Sequence, residues 1–226
     1  MTGQPHPAVA ERKPVPAPEP LPGPVMDAHT HLDACGCADA GDVSAAMDRA
    51  AAVGVRRAVT VADDLESARW AATAATWHPD VYAAVGLHPT RADKLDESAR
   101  TELAQLAAQP RVVAIGETGL DYYWDAAPHR TQVEAFAWHI DLAKRLKKPL
   151  MIHDRDAHDD VLAVLRAEGA PDQVIFHCFS GGPEMARTCV DAGFHLSFAG
   201  PVSFRNAREL AEAAAVVPDG LLMAET

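Results

Sequence analysis

The sequence predicts an α/β protein built as a (β/α)8 barrel. Short apolar runs recur eight times, helical patterns fill the intervals, and the chemistry-bearing residues gather at the carboxyl ends of the runs. The runs are 25–29, 56–62, 81–87, 112–117, 149–153, 174–177, 194–198 and 220–225. Several are apolar without alternation, which suits strands buried on both faces of a parallel sheet. Between them, residues 128–146 place Val133, Phe136, Ala137, Ile140 and Ala143 on one helical face behind Pro128. Residues 156–168 repeat the pattern with Val161, Leu162 and Leu165 before Gly169. Eight strands with seven helices favour the barrel. A doubly wound open sheet is the alternative, but no G-x-G-x-x-G turn follows the first strand.

Composition bounds the rest. Eight of the 17 prolines fall in residues 1–24, which carry almost no large apolar side chains. Such a stretch cannot bury enough surface to order itself, so a disordered tail is expected before a domain spanning 25–226. No run approaches the roughly 18 apolar residues of a membrane span, and the N-terminus lacks a secretory apolar core. A cytoplasmic protein is expected. The four cysteines, Cys35, Cys37, Cys178 and Cys189, then read as free thiols. The net charge of −12 argues against a broad basic surface for nucleic acid, but not against an enzyme that grips phosphate through metal ions. The basic run Lys144, Arg145, Lys147 and Lys148 is expected to be a solvated helix end that complements the helix dipole.

The strand ends carry the chemistry. The first strand ends in His29-Thr30-His31, the fourth in Glu117, the fifth in His153 and the sixth in His177. Alternate residues of a strand share a face, so His29 and His31 point the same way. Neutral imidazoles with one carboxylate suit zinc, manganese or iron-type divalent ions. Around them, Asp27 is expected to orient an imidazole through its free N–H. Asp121 reads either as a second such orienter or as a turn cap. Arg155 reads as a phosphate clamp or as a partner of Asp156 or Asp159. His88, before Pro89, reads as a phosphate contact or a loop residue. Tyr122, Tyr123 and Trp124 read as a stacking surface for an unpaired base or as packing over the barrel mouth. His6, His78, His129, His139, His158 and His195 are given no place in the metal site.

The segments VMDAHTHLD, AAVGLHP, AIGETGLDYYWD, PLMIHDRDA, FHCFSGG and LSFAGPVSFRNA together resemble the TatD family of metal-dependent deoxyribonucleases, within the amidohydrolase-like barrels. The resemblance runs from Val25 to the last residue. It implies up to two divalent ions (Mg, Mn or Zn), one on His29 and His31, one on His153 and His177, with Glu117 bridging them. It implies phosphodiester hydrolysis of single-stranded or frayed DNA, with Glu117, His153 and Arg155 as catalytic residues. Arg205 stands where the family more often has Lys. The family motif continues beyond Ala224-Glu225-Thr226 into a metal-ligating aspartate. The expectation is therefore a C-terminally shortened barrel without its eighth helix, with one outer face exposed, prone to self-association and weakened in catalysis. The competing expectations are a sister hydrolase acting on a C–N or C–O bond, and a non-catalytic metal-binding remnant. The lack of a strand-end lysine for a bridging carbamate disfavours the sister hydrolase.

Overall fold

The computed structural model describes residues 16–124 and 126–226. Eight strands form one sheet in sequential order, every neighbouring pair parallel. They are β1 (Val25–Thr30), β2 (Val55–Val61), β3 (Val81–Val85), β4 (Val112–Asp121), β5 (Leu150–Arg155), β6 (Val174–Phe176), β7 (His195–Phe198) and β8 (Leu222–Ala224). The helices between them are α1 (Ala40–Ala52), α2 (Leu65–Ala74), α3 (Glu97–Ala107), α4 (His129–Leu146), α5 (His158–Glu168), α6 (Pro183–Asp191) and α7 (Arg208–Ala215). This is the expected (β/α)8 order, and β8 is the last element. None of the described helices is long and apolar enough to cross a membrane.

The strands serve two layers because alternate side chains point to opposite faces. On β3, Ala83 and Val85 join the core beneath the helices, while Ala84 joins Val59, Val61, Ala114 and Met151. That second cluster is made only of strand residues and fills the barrel interior. Helices begin where aspartates supply the acceptors that their first N–H groups lack: Asp39 caps α1, Asp64 caps α2 and Asp96 caps α3.

The seam between β8 and β1 closes through side chains. The Thr226 backbone N–H donates to Asp27 Oδ1 at 3.1 Å, and its hydroxyl donates to Oδ2 at 2.6 Å. On the outer face beside this seam Val25, Met26 and Leu222 are exposed. Residues 16–24 run without helix or strand, and the Leu21 N–H donates to Val53 O at 2.9 Å. Residues 1–15 of the expected tail lie outside the described residues.

Two expectations need correction. The fourth strand does not end at Glu117 but continues to Asp121, so Glu117 projects from within it. The basic run is not simply solvated. Lys148 is only half-exposed, and its ammonium donates to the carbonyls of Ala107, Gln109 and Val112, tying α4 to the end of α3 and the start of β4.

One buried histidine fastens α4 to the loop after β3. His139 has no exposure; its Nδ1 donates to Ala135 O at 2.8 Å and its Nε2 accepts from Leu87 N at 3.1 Å. Burial, with the Arg100 charge adding, pushes its pKa down to about 4 from 6.5. The unfolded chain binds this proton more readily than the fold does. The contribution to stability is therefore complete above pH 6.5 and is lost as pH falls toward 4, amounting to about 3 kcal/mol. Chemical denaturation of the wild type should show this fall, and His139→Gln should flatten it. An equal slope in both proteins would show that His139 is already charged in the fold.

Candidate metal centre

Glu117 lies at the axis of the site because β4 is built to approach its neighbours closely. Gly116 and Gly119 flank it at φ +152° and +134°. A Cβ on Gly116 would meet Met151 O at 2.6 Å, and one on Gly119 would meet His153 O at 2.1 Å. Only glycine permits this backbone and this contact with β5. The G-E-T-G run therefore brings the Glu117 carboxylate, almost wholly buried, up to the imidazoles of the adjacent strands.

The two oxygens of that carboxylate face two different imidazole pairs. Oε1 lies 2.8 Å from His153 Nδ1 and 2.7 Å from His177 Nε2. Oε2 lies 3.2 Å from His29 Nε2 and 3.8 Å from His31 Nε2. Within the pairs, the two ring nitrogens are 3.1 Å apart for His29 and His31, and 3.4 Å apart for His153 and His177. A tetrahedral ion with bonds of about 2.0–2.1 Å holds its ligand atoms about 3.3 Å apart, so both halves match the span a cation needs.

The ring nitrogens facing away from Glu117 are also engaged. His153 Nε2 donates to Asp121 Oδ2 at 2.9 Å, His31 Nδ1 to Val61 O at 2.9 Å, and His177 Nδ1 to Glu225 Oε1 at 3.2 Å. His29 Nδ1 lies 3.1 Å from Met151 Sδ. Outward donation of one ring N–H fixes the tautomer that leaves the inner nitrogen free to bind metal. The donor set, the spacing and the tautomers all fit a divalent cation.

Charge within the cluster follows from the same contacts. Burial works against a charged His177, yet Glu117 and Glu225 overcome it and raise its pKa to about 10. Burial likewise opposes ionisation of Glu117, but His177, His153 and His29 hold it well below the usual carboxylate range. His29 is pushed the other way, down, by burial and by His177. One imidazolium thus supplies the positive charge that the buried carboxylate requires.

Every expected metal residue, His29, His31, Glu117, His153 and His177, is in this cluster. Asp27 does not orient an imidazole: its Oδ1 accepts from the backbone N–H of His29 at 3.2 Å. Asp121 fills both of its readings, because its Oδ1 also caps the N–H groups of Tyr123 and Trp124. His88 Nε2 lies 3.6 Å from Glu117 Oε1, while its Nδ1 meets Thr90 Oγ1 at 2.7 Å. Burial drives its pKa down to about 4. Arg155 pairs with neither Asp156 nor Asp159; its guanidinium lies over the Tyr123 ring at 3.7 Å. Arg205 is exposed.

Of the remaining histidines, His78 Nδ1 accepts from Asp80 N, His129 stacks on Tyr122, and His158 pairs with Asp154. His195 opens β7, and His6 lies outside the described residues. Sequence reasoning missed Glu225, which accepts from His177 and from the Cys178 N–H. It also missed Gln132, buried on α4, whose amide holds both backbone groups of Asp121. Both carried a signal: Glu225 ends the eighth apolar run, and Gln132 shares the buried helical face with Phe136 and His139.

The family model for the TatD related DNases matches residues 26–226. The chain belongs to that family. The metal-dependent hydrolase TatD of Mycobacterium tuberculosis is 64% identical over 208 residues, covering 89% of this chain and 78% of that protein. A 3'-5' ssDNA/RNA exonuclease, TatD of Escherichia fergusonii, is 32% identical over 183 residues, covering 80% of this chain and 70% of that protein. The crystal structure of YjjV, a TatD homologue from Escherichia coli, superposes with a TM-score of 0.81 at 30% identity, covering 89% of this chain and 78% of that one. This TatD-family chain is a metal-dependent hydrolase on a TIM-type barrel.

The glycine that admits Glu117 gives a direct test of the geometry. Gly119→Ala should lower stability by several kcal/mol, because the new methyl meets a backbone carbonyl rather than a yielding side chain. Thermal melting with metal analysis reads both effects. An unchanged melting temperature and metal content would show that β4 and β5 are not held this closely.

Proposed function

We propose that this chain is a deoxyribonuclease of the TatD type that hydrolyses phosphodiester bonds in single-stranded or frayed DNA with the help of up to two divalent cations. One observation carries the reading. A single buried carboxylate turns one oxygen to His29 and His31 and the other to His153 and His177. The single-stranded substrate is supported by the name of the Escherichia fergusonii relative.

In this reading His29 and His31 would hold one cation and His153 and His177 the other, with the Glu117 carboxylate available to both. Divalent cations at these positions would supply Lewis-acid stabilisation of the charge that builds on the phosphoryl group and would activate water as nucleophile. Of magnesium, manganese and zinc, zinc suits this imidazole-rich donor set best, because magnesium prefers oxygen ligands. Around the centre, Asp121 and Glu225 engage the outward ring nitrogens of His153 and His177, which aims the other ring nitrogen of each toward Glu117. His88, kept neutral by burial, presents Nε2 toward the same space as a phosphate contact. The Arg155 guanidinium lies over the Tyr123 ring, and its N–H groups would serve as donors to a phosphate oxygen. The four free thiols support a reducing compartment, the cytoplasm. The catalytic unit is the barrel, residues 25–226, with the proline-rich stretch 1–24 outside it.

The purified chain should contain or take up divalent metal, and the His153→Ala, His177→Ala double variant should lose at least half of that content. The wild type should degrade a single-stranded oligonucleotide in manganese or magnesium, EDTA should stop it, and the double variant should be slower by tenfold or more. Full metal content in the double variant would remove these residues from the site. A metal-loaded wild type inert toward DNA would overturn the substrate assignment.

A further inference from the structure

We infer that Tyr123 and Trp124, braced by Arg155, form a stacking platform for one unpaired nucleobase beside the metal centre. The inference rests on the phosphodiesterase reading and names how that site selects its substrate.

Three aromatics follow one another after β4, and the structure divides them. Tyr122 is engaged inside the fold: its ring stacks on His129 at 3.6 Å, and its hydroxyl donates to Asp160 Oδ2 at 2.7 Å. Tyr123 and Trp124 are left 54% and 56% exposed. Their rings meet edge to face, with centroids 4.9 Å apart. The Arg155 guanidinium lies 3.7 Å from the Tyr123 ring centre and 5.8 Å from that of Trp124. Among the described residues the other exposed large apolar side chains are Leu21, Val25, Met26 and Leu222, near the β1–β8 seam or in the stretch before it, and Phe204 after β7. The exposed aromatics therefore all lie on loops that follow barrel strands, on the rim that carries the metal cluster.

This loop is not free to wander. Asp121 Oδ1 accepts from the N–H groups of Tyr123 and Trp124 at 3.0 and 2.9 Å, while Oδ2 holds His153. Gln132 in turn grips the Asp121 main chain, and the Tyr122 N–H donates to Arg155 O. The backbone that carries the two rings is thus fixed to the same carboxylate that engages His153.

The charge balance favours stacking as the source of grip. A net charge of −12 argues against a broad basic surface for phosphates, so base contacts would add to the grip of the metal centre, His88 and Arg155. Exposed aromatic faces with an adjacent guanidinium bind any base through its π face. Bases inside a duplex are already covered on both faces, so such a platform discriminates for unpaired ends.

The test uses the full chain with calcium and compares three fluorescent ligands by anisotropy: an oligothymidylate, an abasic strand of equal length, and a blunt duplex. The wild type should bind the oligothymidylate roughly 5- to 150-fold more tightly than the abasic strand, the range one stacked base confers. Trp124→Ala should bring the base-bearing strand close to the abasic level, and Trp124→Phe should recover most of the difference. Metal content and melting temperature of the variants guard against loss of the fold. Equal wild-type affinity for the base-bearing and abasic strands, with both still hydrolysed in manganese, would overturn the platform and leave the nuclease reading standing. A wild type that neither binds nor cuts any strand would overturn both. Variants that bind DNA as the wild type does but sediment differently would make the surface a protein contact instead, which also overturns the inference.

Discussion

A buried, ionised carboxylate at the centre of the barrel sets the terms for everything around it. Taking a charge such as that of Glu117 out of water costs several kcal/mol unless partners neutralise it, and here every partner is a histidine. Four strands must then bring these side chains to one height, so that imidazoles at the ends of β1 and β6 and on β5 reach an oxygen projected from within β4. The parallel barrel does this because its strands share one direction and one rim. The glycines beside Glu117 let β4 run close enough to β5 for Oε1 to sit 2.8 Å from His153. Without a cation, the excess negative charge is balanced by a proton on His177. With one, that proton becomes superfluous, because ligand imidazoles bind in the neutral form.

The sequence revealed the cluster more readily than its supports, for a physical reason. Metal-facing residues must sit at strand ends on a common rim, so His29, His31, His153 and His177 show in the pattern of apolar runs. Glu117 was visible as a residue but not as an interior strand position, since the close approach that extends β4 to Asp121 depends on the backbone of β5. Supporting residues obey no such periodicity. Asp27 stands two positions before His29, a spacing that suits an imidazole orienter, yet the strand directs its carboxylate to backbone N–H groups. Lys148 follows a helix as a solvated lysine would, but three carbonyls left over from α3 and β4 draw it inward. Glu225 obeys the same strand-end rule as the histidines, at the close of the eighth apolar run.

Support for the centre is also shared between chemistry and architecture. Asp121 holds an imidazole with one oxygen and a loop with the other, so the position of Tyr123 and Trp124 is coupled to the tautomer of His153. Gln132 extends that coupling into α4, and His139 on the same helix face pins the turn that carries His88. A helix on the outside of the barrel therefore fixes two separate groups on its rim. Buried polar networks of this kind specify geometry when every member is satisfied, and these members are.

The two halves of the centre are held by different means, and their geometry reflects it. His153 lies on β5 and His177 directly follows β6, strands with a ladder partner on each side, although the β4–β5 ladder shifts register between Ile115 and Thr118. His29 lies on β1 and His31 just beyond its end; β1 has a ladder partner on one side only, and on the other Thr226 bonds to the Asp27 side chain. The same Asp27 oxygen accepts the His29 N–H, so closure of the seam and placement of His29 are one interaction. The contacts of Glu117 are shortest toward the laddered half, at 2.7 and 2.8 Å, and longer toward the seam, at 3.2 and 3.8 Å. The two oxygens of this carboxylate thus face parts of the barrel that are held by different contacts. The half on β5 and β6 is defined by the sheet itself, whereas the half on β1 is defined only as well as the barrel is closed.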